Sequence, residues 1–317
     1  MPASRMTGWW YKPAPEIIIP MLSFTITHLD HCRRLESYLR TLMPTSPFGY
    51  ARKLIKNGAA KCNGTIVTPD TLLVNHDTVT LKESGATAGY INPTRPVLDI
   101  LFEDGLIMIV NKPAGLPMHR TAECEENLVD VGQGYMIQRE TTCKLYPVNR
   151  LDRGTSGAVI LAKSSSSAGI YGRQVKDTGL DKLYLALVWG TPEEHGVITE
   201  PLDEKESETR YRTLLAGENC SLLAVTPISG RMHQIRRHLA AIGHPIIGDK
   251  RYSGGDMPEL SGFALHSFRT SLVLAEAGKL TVSAPVSDEL LNLCELRGIG
   301  RDILLENVYQ LAQREDV

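Results

Sequence analysis

The chain has 317 residues, of which 42% are hydrophobic and 22% are charged, and its formal net charge is −2. This length predicts two domains, and this composition excludes a disordered chain or a small disulfide-dependent fold. No apolar run is long enough to span a membrane, and residues 1–20 lack the layout of a signal peptide. We therefore expect a cytoplasmic protein with no membrane partner.

The cysteines show no C-x-x-C pair and no spacing to histidine that is typical of a zinc site. This pattern predicts free thiols rather than a disulfide framework, and it predicts no metal site. The six are Cys32, Cys62, Cys124, Cys143, Cys220 and Cys294.

The small net charge hides two basic segments. Residues 28–64 carry seven Lys or Arg against two Asp or Glu, and residues 231–251 carry five against one. Two such segments on a nearly neutral protein indicate surfaces that face a polyanion. Each segment alone is equally consistent with a solvated helix face.

The first basic segment predicts two helices. Apolar residues within 33–42 follow the i, i+3, i+4, i+7 spacing of one helix face, and the arginines lie off that face. The next helix runs from an N-cap at Ser46 to a stop at Gly58. Both helices are therefore expected to be basic on their exposed sides.

A hairpin and a strand follow these helices. Asn63-Gly64 predicts a tight turn between strands at 59–62 and 65–67, and another strand covers 78–82. This order resembles the S-four RNA-binding domain over about residues 22–82; the matching motifs are Arg34-Leu35, Lys56-Asn57-Gly58, Asn63-Gly64 and Asp77. The resemblance implies that structured RNA is bound by Arg33, Arg34, Arg52, Lys53, Lys56 and Lys61.

Residues 83–97 contain two glycines and two prolines and predict a flexible linker. The expected organisation is an extension over 1–20, a small domain over 21–82, this linker, and a second domain over 98–317.

The second domain opens with two loop motifs. A strand at 106–110 runs into a rigid loop, 111–119, in which two prolines and a glycine restrict the backbone. Residues 149–157 then place Asp152 between two arginines on a glycine-rich turn before a strand at 158–162, which favours an ionised carboxylate. Alone, such an aspartate is more often a turn cap.

Two further motifs lie on a strand and a helix. Tyr184 alternates with apolar residues in the strand 182–190, which is typical of either a cleft residue or a half-buried sheet residue. In the helix after Gly230, one side carries Ile235, Leu239 and Ile242, and the opposite side carries His233, Arg236 and Arg237. The sequence Gly243-His244-Pro245-Ile246-Ile247-Gly248-Asp249 follows, and another strand begins at Leu265.

These four segments, in this order, resemble the RluA-type RNA pseudouridine synthases over residues 97–285. The resemblance implies an α+β fold, with the small α/β S-four-like domain followed by a catalytic domain on a long mixed, largely antiparallel sheet. It also implies isomerisation of uridine in RNA, in which the bond from ribose to the base nitrogen breaks, the uracil turns, and a ring carbon rejoins the ribose. Because no atom is added or lost, no cofactor or metal is expected.

The resemblance also implies residue roles. Asp152 is the catalytic carboxylate, whether it acts covalently or by relaying a proton. Tyr184 stacks on the uracil and is a candidate to take a proton from the sugar, and Arg236 pairs with Asp152. Arg150 fills the space left by the flipped uridine. The remaining residues predicted to bind substrate are Asn149, Lys112, His119, Arg231, His233 and Gln234.

One position departs from the family, because Asn149 stands where a histidine usually precedes Arg-Leu-Asp. Asn can donate and accept hydrogen bonds but cannot titrate, so we interpret the change as tolerated packing. The expected substrate is large-subunit ribosomal RNA, with transfer RNA second, and the expected state is a monomer. Two other hypotheses are a non-catalytic RNA-binding protein with a decayed synthase domain and a hydrolase with an aspartate nucleophile.

Overall fold

The structure is a computed structural model that describes residues 21–43, 46–47, 49–82, 84–91, 98–120, 126–177, 181–274 and 277–313. The predicted extension over 1–20 and Cys124 lie outside the described residues. The other five cysteines are free thiols, as predicted.

The N-terminal module consists of two helices and a three-stranded antiparallel sheet in the order β1-β3-β2. Its elements are β1 (Met21–Thr25), a 3-10 helix (His28–Asp30), α1 (Leu35–Leu42), α2 (Tyr50–Lys56), β2 (Ala60–Cys62) and β3 (Thr78–Lys82). The predicted apolar stripe of α1 forms the centre of the module's core, where Leu35 and Leu39 are fully buried.

Two local predictions in this module are corrected. Helix α2 begins after Gly49, which has a φ of 78°, and not at Ser46, whose hydroxyl donates to the Met43 carbonyl. Asn63 and Gly64 form the predicted turn, since φ is 49° and 75° there. Residues 65–67 form no strand and contribute only a single bridge to Cys62.

Part of the predicted linker is folded. Helix α3 (Gly85–Tyr90) begins at Ser84, whose side chain accepts a hydrogen bond from the Thr87 backbone N–H. The Tyr90 ring packs edge-on against Tyr50 of α2, with 5.3 Å between ring centroids. Residues 92–97 of the predicted linker lie outside the described residues.

The second domain is built on a ten-stranded sheet with the path β4-β5-β7-β12-β8-β11-β10-β9, while β6 pairs with β7 and β13 with β12. Its strands are β4 (Ile100–Glu103), β5 (Ile107–Lys112), β6 (Tyr146–Pro147), β7 (Ser156–Ala162), β8 (Asp181–Trp189), β9 (His195–Ile198), β10 (Thr209–Gly217), β11 (Cys220–Pro227), β12 (Leu265–Leu274) and β13 (Gly278–Ser283). All pairings among these described strands are antiparallel except that of β7 with β12, so the prediction of a mixed, largely antiparallel sheet is confirmed.

Helices cover both faces of this sheet. They are α4 (Leu128–Gln138), α5 (Ser165–Asp177), α6 (Gln234–Ala241), a 3-10 helix (Lys250–Tyr252), α7 (Asp288–Leu296) and α8 (Arg301–Gln313). Along β7, Val159 and Leu161 join the core shared with α4, α6, α7 and α8, whereas Ala158 and Ile160 join the core shared with α5. This alternation explains why β7 is an uninterrupted apolar run.

The sheet divides where β7 meets β12. These strands pair only at Ser156 with His266 and at Gly157 with Ser267, after which β12 pairs with β13 and β7 with β6. Gly157 has a φ of 108°, and a Cβ there would lie 2.3 Å from the Ser267 carbonyl oxygen. Glycine is therefore required at this junction, and the turn before β7 opens into a cleft beside it.

Arg33 joins the N-terminal module to the second domain. It is 1% exposed, and its Nη1 lies 2.6 Å from Asp99 Oδ1 and 3.2 Å from Asp30 Oδ1. Its Nη2 donates to the Ile100 carbonyl. The prediction that Arg33 contacts RNA is wrong, because a guanidinium without exposed surface cannot reach a phosphate.

Two neighbouring residues make further contacts across this junction. Arg34 forms an ion pair with Asp70 and donates to the Thr281 carbonyl. His31 Nε2 lies 2.8 Å from the Leu305 carbonyl oxygen. Arg34 is therefore engaged in the junction rather than free for RNA.

Candidate active site

Asp152 occupies the turn between β6 and β7, and it lines the cleft. Its side chain is 30% exposed, and the Thr155 backbone N–H donates to its carbonyl. The cleft encloses about 320 Å³, within the range of about 300–1,000 Å³ that is usual for small-ligand sites. Tyr184 and Arg236 line this cleft together with Asp152, as the sequence predicts.

Lys112 holds the Asp152 turn in place from beneath. It has no exposed surface, and its Nζ donates to the carbonyls of Pro113, Leu116 and Arg153 at 2.9, 2.8 and 3.1 Å. Burial lowers the pKa of Lys112 to about 7. The prediction that Lys112 binds substrate is wrong, because backbone carbonyls occupy all three N–H donors.

Arg236 on α6 bridges two carboxylates. Its Nη1 lies 2.7 Å from Asp152 Oδ2, while its Nε and Nη2 hold Asp249 at 2.7 and 2.9 Å. Its guanidinium carbon also lies 4.3 Å from the centroid of the Phe263 ring. Burial lowers the pKa of Arg236, but its bonds to both carboxylates outweigh this and raise that pKa overall.

The predicted division of α6 into core and cationic faces is only partly right. Arg236 is 6% exposed and His238 is fully buried, although the spacing places Arg236 opposite the core face. Ile242, predicted in the core, lies at the end of the helix and is 37% exposed. The reason is Asp249, which follows α6 and draws Arg236 inward.

His233 lies at the start of α6 with a φ of 52°, in the left-handed region. Its Nδ1 is 2.9 Å from the Tyr252 hydroxyl, and its Nε2 is 3.7 Å from Asp152 Oδ1. Burial lowers its pKa, which the nearby Asp152 carboxylate partly offsets. Because Arg236 holds Oδ2, the other oxygen of Asp152, Oδ1, has only this longer contact with His233 among the described residues.

Tyr184 lines the cleft on β8 with 7% of its surface exposed. Burial raises its pKa to about 12, although a hydrogen bond with Ser267 acts in the opposite direction. The phenol therefore stays neutral. This charge state favours stacking and hydrogen bonding over action as a phenolate base.

Two predicted substrate-binding residues are structural instead. Asn149 is buried, and its Oδ1 accepts the Ile160 backbone N–H at 2.8 Å, which fits the interpretation of tolerated packing. The side-chain amide of Gln234 is also fully used, since it accepts from the Arg231 backbone N–H and donates to the Glu208 carbonyl.

The rim of the cleft is cationic and exposed. Arg150, His119 and Arg231 are exposed there, as their predicted roles require. Sequence reasoning assigned no role to three further rim arginines or to Asp249; the rim arginines are Arg120, Arg153 and Arg251. Asp249 could have been found, because a carboxylate after the glycine-rich exit of α6 lies within reach of that helix.

Among the residues that the structure describes, no group of His, Cys, Asp or Glu is arranged to hold a metal ion. Within the same residues, no helix is both long and apolar enough to cross a membrane.

The chain is similar to several known proteins. A family model described as RNA pseudouridylate synthase matches residues 106–241. An uncharacterized RNA pseudouridine synthase of Bacillus subtilis, YhcT, is 32% identical over 74% of this chain and 83% of its own length. Ribosomal large subunit pseudouridine synthase C of Escherichia coli O157:H7 is 26% identical over 84% and 93%.

Two further proteins extend the comparison. The mitochondrial tRNA pseudouridine(32) synthase of Saccharomyces cerevisiae is 32% identical over 66% of this chain and 48% of its own length. A solved structure of human RNA pseudouridylate synthase domain containing 4 superposes with a TM-score of 0.53, at 22% identity, over 62% of this chain and 91% of that one. This structure supports the fold.

Proposed function

The chain belongs to the RNA pseudouridylate synthase family and is an isomerase, and from this premise we propose that Asp152, Tyr184 and Arg236 form its catalytic site. The observation that carries the proposal is the carboxylate pair on Arg236. This arginine fixes one oxygen of Asp152 and leaves the other facing the cleft. An ionised, oriented carboxylate is what the reaction needs at the ribose or the base.

Each of the three residues has a part in the proposed chemistry. Asp152 Oδ1 acts at the nucleotide when the bond from ribose to the base nitrogen breaks, and Arg236 orients this carboxylate through its bond to Oδ2. Neutral Tyr184 stacks on the uracil as it turns. Arg150, exposed at the rim, enters the space that the flipped uridine leaves in the RNA.

We further propose that the N-terminal module is an S-four-like domain that binds RNA through α2. Arg52, Lys53 and Lys56 are exposed along this helix, and Lys61 follows on β2. Among the described residues, only Arg52 of these four has a carboxylate partner, Glu36. Three uncompensated lysines on one module support a phosphate-binding surface.

The proposed substrate is large-subunit ribosomal RNA. A second RNA-binding surface fits an RNA that extends beyond one stem-loop. A relative named for the large ribosomal subunit matches 84% of this chain. Transfer RNA is the second candidate, because a relative named for that substrate is 32% identical. The proposed protein is a cytoplasmic monomer.

The test combines substrate class with the catalytic residue. Purified full-length protein is incubated separately with ribosomal and transfer RNA transcripts, and pseudouridine is mapped by carbodiimide treatment and primer extension. We expect modification at discrete uridines of the large-subunit transcript, and a loss of at least about a thousandfold in rate for Asp152→Asn. The matched control is Asp203→Asn, at an exposed carboxylate paired with Arg237.

Two outcomes contradict parts of this proposal. Modification of transfer RNA alone would replace the substrate assignment and leave the site intact. A well-folded Asp152→Asn protein with normal turnover would remove Asp152 from the catalytic role.

A further inference from the structure

One cation in the cleft has no part in the chemistry described above. Lys182 and Tyr184 lie two residues apart on β8, so their side chains leave the same face of the strand. Both residues line the cleft that contains Asp152. The lining also includes Val148 and Val175, which offer no polar group from their side chains.

Lys182 is partly buried, and the described residues provide no counter-charge for it. Across the described part of the chain, no carboxylate pairs with it and no acceptor receives a hydrogen bond from it. Burial alone lowers its pKa. Other enclosed cations are compensated: Lys112 by three carbonyls and Lys163 by Glu103 at 2.7 Å. A desolvated ammonium without a partner is unfavourable unless a ligand supplies the charge.

Asp152 does not supply the counter-charge for Lys182. Asp152 is held by Arg236 at 2.7 Å and lies 3.7 Å from His233, and no ion pair joins it to Lys182 among the described residues. Its charge is therefore taken up by Arg236. Residues two apart on a strand are separated by about 7 Å along it, so Lys182 and Tyr184 occupy neighbouring positions on the same face of β8.

We propose that Lys182 Nζ binds a backbone phosphate next to the flipped uridine. This inference rests on the proposed catalytic site, because it takes the uridine to lie between Asp152 and Tyr184. A phosphodiester carries the full negative charge that Lys182 lacks, whereas a uracil carbonyl would leave the ammonium uncompensated. The contact fixes the nucleotide's position in the cleft and makes Lys182 a substrate-binding residue.

The test uses the full-length protein and a synthetic RNA fragment around a uridine that the wild-type protein modifies. Two versions of this fragment carry one neutral methylphosphonate, placed either 5′ or 3′ of that uridine. Lys182→Met removes the charge and keeps the apolar stem, and Lys182→Arg keeps a cation. Lys205→Met, at an exposed lysine that does not line the cleft, is the matched control.

We expect Lys182→Met to weaken RNA binding by about fivefold to tenfold and to reduce the log–log salt slope by about one. The single-turnover rate at saturating RNA stays within about twofold of wild type, and Lys182→Arg and Lys205→Met bind as wild type does. One of the two methylphosphonates weakens wild-type binding equally. That same probe causes no further loss for Lys182→Met.

Three results would overturn the inference. They are unchanged affinity of Lys182→Met, a lower saturating rate with normal affinity, and additive losses from the variant and the methylphosphonate. If Lys182→Met does not fold, Lys182→Gln takes its place. Independently of any variant, the contact is contradicted if the wild-type protein binds both methylphosphonate fragments as tightly as the unmodified RNA. Failure of the catalytic assignment is read separately, since Asp152→Asn would then retain turnover whatever Lys182 does.

Discussion

Each of the two basic segments of this chain contains one arginine buried between carboxylates. In the N-terminal module, Arg33 lies between Asp30 and Asp99, and in the second domain Arg236 lies between Asp152 and Asp249. Both arginines are less than a tenth exposed. The guanidinium is suited to both places because it stays charged and donates in fixed directions.

The two clusters differ in what surrounds the carboxylates. The partners of Arg33 are 13% and 14% exposed, and its Nη2 donates to the Thr41 hydroxyl and the Ile100 carbonyl. Asp249 is even more enclosed, at 2%, but Asp152 is 30% exposed and lines a cleft. The same arrangement of charges therefore stabilises a junction where both carboxylates are enclosed, and it leaves a carboxylate accessible to a ligand where one lines a cleft.

The largest effect that tests this difference is expected for Arg236→Gln. The variant keeps a hydrogen-bond donor but removes the charge between Asp152 and Asp249, so the proposed catalytic carboxylate, Asp152, loses its fixed orientation. We expect the single-turnover rate to fall by about a hundredfold or more, with RNA affinity changed much less. Arg237→Gln is the matched control, since that neighbouring arginine pairs with exposed Asp203. A pure affinity loss would make Arg236 a phosphate contact.

The second prediction concerns the stability that the Arg33 cluster contributes. Arg33→Met leaves Asp30 and Asp99 enclosed without their cation, and we expect it to lower the free energy of unfolding by about 3 kcal/mol. Arg52→Met removes a half-exposed partner of Glu36 and is expected to lower that free energy by less than about 1 kcal/mol. Urea denaturation measures both. Equal losses of unfolding free energy from the two variants would show that Arg33 does not stabilise the junction between the module and the second domain.

Both clusters illustrate what the sequence can and cannot predict. The bounds of β3 and the turn at Asn63-Gly64 are predicted correctly because alternation and positive-φ residues are local signals. Arg33 is placed wrongly because its partner Asp99 lies 66 residues away along the chain. Helical periodicity can identify a cationic helix face, but it cannot show that a carboxylate distant in the sequence pairs with that face and buries it.

The candidate site also has parts that the sequence predicts and parts that it does not. The pairing of Arg236 with Asp152 is predicted only through the family resemblance, and the structure brings those two side chains within 2.7 Å. Lys112 lies in a motif of the family, but the sequence gives no indication that three carbonyls consume its donors. Hydrogen-bond saturation depends on loops that meet only in the folded chain.

A third prediction uses pH to examine the junction near Arg33. His31 Nε2 lies against the Leu305 carbonyl and its Nδ1 accepts the Asn75 backbone N–H, so the neutral ring is the form that fits. Burial lowers its pKa below 6.5, although Glu306 and Asp77 partly oppose this. The unfolded chain thus takes up the proton first, and stability falls as pH drops below about 6.5 towards the lower folded pKa.

The measurement compares urea midpoints at about pH 7.5 and 5.5 for wild type and His31→Gln. The glutamine amide can still donate to Leu305 but does not titrate, so we expect a smaller loss on acidification for the variant. Because other buried histidines titrate in both proteins, the difference between the two isolates His31. Identical pH dependence would show that His31 does not contribute.

The smallest effect on RNA binding is expected from exposed lysines of the first basic segment. Lys53 and Lys56 on α2 are exposed and, among the described residues, have no carboxylate partner. If they contact RNA, Lys53→Gln with Lys56→Gln reduces the log–log salt slope of binding by roughly 1.5, at about 0.7–0.9 per lost phosphate contact, and weakens affinity only several-fold. The rate at saturating RNA stays unchanged, because neither lysine lines the cleft. The paired control Lys144→Gln with Lys205→Gln removes the same charge from exposed positions outside α2, so an equal change in slope there would assign the effect to net charge rather than to this helix.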